Sequence, residues 1–288
     1  MNTSIIAALL AISLGVSGAA QTLTHQTPES IAPVTIVSEE VFSNPTAEEP
    51  SAYPTAPTEY AEFHAVWDYA YENNCSEVTL HYAFPYTDEF GATITDCVKE
   101  SSQVYRYTHP EIFNYMRAKG YRRIRHDDSF DIIIEFSAID DTVTMQQKGL
   151  SDAKAVEVYN SLRASGALTD AMTERERAWV ILSWVCDNTY YMNDGTGLCH
   201  TAYSVFERGY GVCDAYVSVL QSLLRLDGID CYGVKGTIRA NSELHLWSKV
   251  CLDGQWVNID PVGCDGENGA EDMYFAVVDE VLAQTHAW

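Results

Sequence analysis

Basic residues are scarce in this chain of 288 residues, which has 17 Lys and Arg against 41 Asp and Glu. The resulting formal net charge of −24 makes nucleic acid and anionic membrane surfaces poor partners, because both repel an acidic protein. The acidity is better explained as a means of keeping the protein soluble than as a recognition device.

Charge is absent altogether from residues 1–20, an apolar run that ends in small residues. This pattern predicts a signal peptide, cleaved after a small-residue motif such as Ser17–Ala19 or Gly18–Ala20. An uncleaved anchor is the alternative, but Ser, Gly and Thr interrupt the run and it is barely long enough to span a bilayer. No later segment approaches transmembrane length. We therefore expect a secreted or cell-surface protein without an integral membrane domain.

Metal-binding cysteine patterns are also missing, because no two cysteines have CxxC spacing. Cys199-His200 lacks a second pair at metal-ligand spacing, so we predict no metal and no cofactor. Eight cysteines in so long a chain do not make a disulfide scaffold. Cys75 with Cys97, and Cys231 with Cys251, are candidate crosslinks, and free thiols in the core are the equal alternative.

Four segments follow from composition and periodicity. After the signal peptide, residues 21–58 hold six of the nine prolines and no Lys or Arg, which predicts a disordered linker. Residues 59–150 are predicted to form a small α+β region, and residues 151–288 a second domain that opens with helices. The elements expected are a helix from about residue 58 that includes Phe63 and Val66, strands at 77–84, 102–108 and 130–138, and helices at 109–120, from Ser151 to Gly166, and after the cap Thr173.

One cysteine lies at a position in the sequence that suits a nucleophile. Cys213 follows Gly209 and Gly211 in the stretch ERGYGVCDAY and opens a helical run that ends at Asp227-Gly228. The unsatisfied N–H groups and the dipole of a helix's first turn favour an anion, which would lower the thiol's pKa and could hold an oxyanion. The alternative is a small apolar filler at a helix start.

A hairpin further along supplies the partners of such a thiol. Asp253-Gly254 predicts a two-residue turn between strands 245–251 and 256–260, with Cys251 facing Trp256. Period-two alternation then puts His245, Trp247 and Asp260 on one face of the sheet, where Asp260 can fix the imidazole tautomer. We expect the Cys213 helix to pack on that face, giving a Cys213–His245–Asp260 triad.

These residues resemble the core of the transglutaminase-like superfamily, and the similarity covers about residues 150–265. The shared pattern is roughly G-x-C-x-x-Y-A, then G-I, H-A-W-N and D-G-x-W-x-x-V-D. Leu246 and Ser248 replace the usual Ala and Asn, and Pro-Val-Gly follows Asp260 where Thr-Trp is common, which puts substrate preference in doubt. The matching residues are Gly211, Cys213, Tyr216, Gly228-Ile229, His245, Trp247, Asp253-Gly254, Trp256 and Asp260.

The resemblance implies an α+β fold with a transglutaminase/papain-like core, in which the helix bearing the cysteine packs on an antiparallel sheet bearing His and Asp. It also implies acyl transfer from a peptide or protein amide through a thioester, with Gly211, Trp247 and Tyr216 as candidate substrate-binding residues. Hydrolysis is favoured over crosslinking, because bacterial members of the family include peptidases. A non-catalytic cell-surface binding module is the rival from another class. Substrate identity, with a cell-wall or extracellular target among the options, and oligomeric state stay open.

Overall fold

A computed structural model describes residues 33–38, 67–68, 70–71, 75–82, 85–266 and 271–288. The chain divides into two compact units, residues 1–105 with 116–137, and residues 106–115 with 138–288. None of the helices within the described ranges is long and apolar enough to cross a membrane. The signal peptide predicted at residues 1–20 lies outside the described residues, and the four-segment division stays a prediction.

The first unit contains a four-stranded sheet in the order β1-β2-β4-β3. Strand β1 is parallel to β2, and β2 is antiparallel to β4. The elements are β1 (Pro33–Ser38), β2 (Glu77–Tyr82), helix α1 (Asp88–Thr108, whose last three residues belong to the second unit), β3 (Met116–Arg125) and β4 (Phe130–Ala138).

Strand β1 lies inside the segment that composition predicts to be a disordered linker, and these six residues pair with β2. Backbone pairing with β2 over the full strand supplies the ordering that the side-chain composition does not reveal. The predicted strand at 130–138 is confirmed, as is the one at 77–84 for its described residues. Of the predicted first helix, Trp67, Asp68, Ala70 and Tyr71 are helical, whereas Phe63 and Val66 lie outside the described residues.

Residues 102–108 belong to helix α1 and not to a strand, so that prediction is wrong. Val98, Ser101 and Tyr105 are buried at intervals of three and four residues, which is the spacing of one helix face. The β-branched and aromatic residues of this segment favour a strand by their propensity. Composition alone cannot report the burial that makes the segment a helix. The predicted helix 109–120 is also wrong beyond its start, since Pro110–Phe113 is a short helix and Gly120 lies within β3.

The second unit combines nearly all the remaining helices with a five-stranded antiparallel sheet, in the order β10-β9-β8-β7-β11. Its helices are α2 (Pro110–Phe113), α3 (Met145–Ala164), α4 (Glu174–Asp187), α5 (Ala202–Arg208), α6 (Cys213–Leu226), α7 (Pro261–Cys264), α8 (Glu271–Tyr274) and α9 (Asp279–Leu282), with a 3₁₀ turn at Gly197–His200. Its strands are the parallel pair β5 (Tyr190–Tyr191) and β6 (Tyr210–Gly211), and β7 (Cys231–Ile238), β8 (Leu244–Leu252), β9 (Gln255–Ile259), β10 (Phe275–Val277) and β11 (His286–Ala287).

Two capping boxes begin the long helices α3 and α4. The box between Thr173 and Glu176 is the predicted start of α4. A second box, between Thr144 and Gln147, starts α3 six residues before the predicted Ser151. The same T-x-x-Q/E signal was therefore present in both helices, and it sets the start of α3 better than the apolar periodicity does.

The hairpin β8–β9 has the predicted register, with Cys251 opposite Trp256 and Lys249 opposite Asn258. Asp253 and Gly254 both have positive φ angles, 51° and 78°, as a two-residue turn of this type requires.

The pairing of β7 with β8 differs from prediction by one residue, because Cys231 lies opposite Val250 and not Cys251. A shorter loop, closed by a bond from Ile238 N to Glu243 O, causes this shift. Cys75, Cys231 and Cys251 are all free thiols, so neither candidate crosslink forms. The side chain of Cys97 lies outside the described residues.

Helix α6 is the centre of the second unit's core. Tyr216, Leu220 and Leu223 are fully buried, and they join a cluster that includes Val250 and Ile259 of the sheet. Gln221 of the same helix donates from Nε2 to Ser248 Oγ at 3.2 Å. Leu246, Ser248 and Val250 alternate along β8, so α6 covers the face of the sheet that these even-numbered residues form.

Candidate active site

Cys213 is the first residue of helix α6, as predicted. The N-cap residue Val212 makes no side-chain cap hydrogen bond, so the first turn keeps N–H groups that a cap would otherwise occupy. Gly209 ends α5 at φ 73°, and a Cβ on Gly211 would lie 2.4 Å from Ala215 Cβ. The two glycines therefore permit the tight entry that puts the thiol at the start of the helix.

Burial raises the pKa of the Cys213 thiol, and the negative charge of Asp214 raises it further. Asp214 Oδ1 lies 3.6 Å from the sulfur, while a hydrogen bond with the Leu246 backbone acts in the opposite direction. The predicted lowering of this pKa is wrong, because desolvation and the adjacent carboxylate outweigh the helix dipole. The free thiol is therefore protonated at neutral pH and needs a base.

Asp214→Asn is expected to lower the pKa of Cys213, because it removes the negative charge nearest to the sulfur. The alkylation of Cys213 by iodoacetamide, followed against pH by peptide mass spectrometry, should then begin at lower pH than in the wild-type protein. Asp194→Asn, which removes a carboxylate bonded to Tyr210, serves as the control and should leave the profile unchanged. An unchanged profile in Asp214→Asn would show that Asp214 does not govern the thiol.

His245 and Asp260 form a buried pair. His245 Nε2 lies 3.1 Å from Asp260 Oδ2, within the hydrogen-bond reach that the hairpin register predicts. The two residues are 9% and 2% exposed, so water competes little for this contact. The bond to Nε2 leaves Nδ1 as the imidazole nitrogen free for a thiol.

The Cys213 helix packs on the opposite face of the sheet from the one predicted. His245 stacks with Trp247 on the odd-numbered face of β8, whereas α6 covers the even-numbered face. At the start of β8 the backbone of Leu246, the residue next to His245, acts to lower the pKa of Cys213. Within the described chain no hydrogen bond joins the sulfur to His245, so the structure brings His245 and Asp260 together, and the triad with Cys213 stays a prediction.

Asp260 is held as an anion. Burial alone would raise its pKa, but the hydrogen bond with His245 and the nearby ring of His286 outweigh burial and lower it. Its other oxygen, Oδ1, accepts from Val262 N at 3.1 Å, where Asp260 caps the short helix α7. Both oxygens therefore have fixed partners.

The three candidate substrate-binding residues are buried. Trp247 is fully buried and donates from Nε1 to Asn258 Oδ1 at 3.2 Å. Tyr216 is also fully buried and donates its hydroxyl to Asp265 at 2.6 Å. Gly211 packs against α6. The structure thus shows how all three pack, and their contact with substrate stays a prediction.

Two histidines near the site were missed by sequence reasoning. His286 Nε2 lies 3.3 Å from Asp260 Oδ2, and His200 Nδ1 lies 2.9 Å from Asp214 Oδ2. The bond to Asp214 raises the pKa of His200. Neither histidine stands at a motif spacing from its carboxylate, so only the folded chain reveals these pairs.

His245, Asp260 and His286 are also the one group in the described chain whose donor atoms could hold a metal ion, since these atoms lie within 4.8 Å of one another. Two imidazoles and a carboxylate are a donor set that zinc accepts. The hydrogen bond between His245 and Asp260 accounts for two of the three residues without an ion.

Residues 151–261 match the family model of the transglutaminase-like superfamily core. This part of the chain is therefore a transglutaminase-like core domain, and both the predicted resemblance and the predicted α+β fold class are confirmed. Among curated proteins, none is similar enough to count as a match.

Solved structures give more distant similarities. A crystal structure described as a TGase is 13% identical, with a TM-score of 0.38, over 67% of this chain and 52% of the other. A candidate cysteine protease from Cytophaga hutchinsonii is 11% identical, with a TM-score of 0.32, over 51% of this chain and 66% of the other. A candidate protease from Parabacteroides distasonis is 13% identical, with a TM-score of 0.27, over 64% of this chain and 40% of the other. The chain thus spans between 40% and 66% of the length of these proteins.

Proposed function

We propose that the protein is a thiol-dependent acyl-transfer enzyme that acts on amide bonds of peptides or proteins. The observation that carries the proposal is the buried His245–Asp260 pair, at 3.1 Å, next to Leu246, whose backbone acts to lower the pKa of the Cys213 thiol. A lone thiol, histidine or carboxylate is common in proteins, but this combination at a helix start is typical of nucleophilic catalysis. Export to the cell surface or medium is part of the proposal and is supported by the uncharged apolar run at residues 1–20.

In the first half of the reaction, the Cys213 sulfur attacks the amide carbonyl carbon while its proton passes to His245. The tetrahedral intermediate then collapses: the carbon–nitrogen bond breaks, His245 returns the proton to the leaving amine, and a thioester remains on Cys213. In this proposal the first-turn N–H groups of α6, which have no side-chain cap, donate to the oxygen that becomes negative. Asp260 keeps the imidazole oriented and stabilises the imidazolium.

General-base activation is needed here because the Cys213 thiol is not a preformed thiolate. The proton must therefore move as the sulfur attacks, which requires the sulfur and His245 Nδ1 to come within hydrogen-bond reach when substrate is bound. Catalytic hydrogen bonds often tighten only in that complex. In this proposal the approach takes place at the start of β8, where the Leu246 backbone acts on the pKa of the thiol.

In the second half, a nucleophile attacks the thioester carbonyl while His245 takes its proton. The carbon–sulfur bond then breaks, and His245 returns the proton to the sulfur, which restores the Cys213 thiol. Water as the nucleophile gives a carboxylic acid, and a lysine amine gives a new amide bond. We propose hydrolysis as the principal outcome, in keeping with the peptidases among bacterial proteins that share these motifs.

The partition between water and amine can be measured directly. We expect a peptide library treated with the protein, in the presence of a primary amine such as cadaverine, to yield mainly cleaved or deamidated products by mass spectrometry. Amine adducts as the main products would instead indicate a crosslinking enzyme. Retained peptide binding without any product, by protein that folds normally, would favour the binding module. Cys213→Ala is the matched control for background cleavage.

A further inference from the structure

A second histidine lies against the carboxylate that supports His245. Strand β11 pairs with β7, with His286 opposite Ile238, and brings the His286 side chain into the interior, where it is 1% exposed. Its Nε2 atom lies 3.3 Å from Asp260 Oδ2, the same oxygen that bonds His245 Nε2. Asp260 therefore lies between two imidazoles.

The close approach of β11 depends on a residue without a side chain. A Cβ at Gly236 would lie 2.3 Å from the backbone oxygen of Ala287, and Gly236 is the residue opposite His245 in the pairing of β7 with β8. The His286 ring is enclosed by the Trp247 ring, with centroids 4.9 Å apart, and by the Tyr274 ring at 6.0 Å. Its orientation is thus set by packing from several elements.

Hydrogen bonding at the other ring nitrogen indicates which atom of His286 faces Asp260. Thr285 Oγ1 lies 2.8 Å from His286 Nδ1, nearer than its 3.2 Å to Leu282 O, so the hydroxyl hydrogen is assigned to the bond with Nδ1. In the neutral imidazole Nδ1 is then the acceptor, and Nε2, the atom that faces Asp260, carries the proton.

Nε2 is buried and makes no well-aligned hydrogen bond among the described residues. A lone pair on Nε2 would repel the Asp260 carboxylate, whereas an N–H there compensates the buried negative charge.

We propose that His286 is a positioning residue: it holds the Asp260 carboxylate charged and aimed at His245, and through it keeps the His245 proton on Nε2 and Nδ1 open toward Cys213. This inference rests on the proposed acyl-transfer function of the site. His286 touches neither the substrate nor the thiol in this role, and acts only through Asp260.

The test compares two substitutions that differ in one property. His286→Gln keeps an N–H donor that can reach Asp260, whereas His286→Met fills a similar volume without a donor. We expect kcat for an amide substrate to fall by about 10- to 100-fold in His286→Met with KM unchanged, and His286→Gln to recover most of the loss. The rate at which iodoacetamide alkylates Cys213 should also fall more in His286→Met than in His286→Gln. If the two variants have matching melting temperatures, loss of packing alone would not produce this order.

Thr285→Val provides a second route if His286→Met does not fold. It removes the hydroxyl that donates to Nδ1 and leaves His286 in place, so a smaller fall in kcat at constant KM is expected. Unchanged kcat overturns the proposal. Equal activity of folded His286→Met and the wild type also overturns it. A stoichiometric divalent ion in the purified protein, lost in His286→Gln, would assign His286 to a metal instead.

Failure of the proposed function gives a different pattern. In that case Cys213→Ala retains whatever activity the wild type has, irrespective of His286. If activity requires Cys213 but does not change when His286 is replaced, the positioning role alone is refuted.

Discussion

Replacing Cys213 by alanine is expected to abolish amide turnover and leave the fold intact. The thioester cannot form without the sulfur. Activity should therefore fall by on the order of 10⁴-fold or more, to the residual rate that substrate binding alone supports. Alanine is the most favourable residue within a helix, and Cys213 is only partly exposed at the first turn of α6. The free energy of unfolding should therefore change by no more than about 1 kcal/mol.

Cys251→Ala is the matched control for this substitution. Cys251 is also a free, partly exposed thiol, but it lies next to the β8–β9 turn, opposite Trp256. It should keep full turnover, and denaturant unfolding of both variants should show similar stability. Normal activity of Cys213→Ala would mean that the protein works by binding or through another nucleophile.

Asp260→Asn is expected to preserve the fold and reduce kcat severely, by roughly 10²- to 10⁴-fold. The direction of the asparagine amide is decided by Val262, whose N–H donates to Oδ1 and therefore retains the amide oxygen. The amide NH₂ then faces His245 Nε2, which must act as acceptor and move its proton to Nδ1. A protonated Nδ1 cannot take the proton of Cys213.

For this variant, kcat, KM and the rate of alkylation of Cys213 are measured. We expect kcat and the alkylation rate to fall, while KM changes little. Asp227→Asn is a suitable control, since Asp227 is a buried carboxylate paired with Arg177 at 2.6 Å. It should lower the melting temperature without lowering kcat. If Asp260→Asn is fully active while His200→Gln is inactive, the base is His200 of the second His–Asp pair, and not His245.

The hairpin register and the starts of α4 and α6 could be predicted because their causes are local. Asp253-Gly254 permits one turn geometry, which in turn dictates which residues of β8 and β9 face each other. Thr173 and Glu176 form a capping box within four residues. The wrong assignment of residues 102–108 has the opposite cause, since burial on the face of a long helix depends on contacts that no short window contains.

By itself, the sequence determined which three residues suit the chemistry, namely Cys213, His245 and Asp260. It also determined that a helix begins at Cys213 and that His245 and Asp260 share one face of the sheet. These depend on spacing, caps and turns. Only the tertiary structure decided that α6 covers the other face of the sheet, that burial and Asp214 raise the pKa of the thiol, and that His286 joins Asp260. Desolvation and contacts between distant strands act through space, so their strength is set only once the chain has folded.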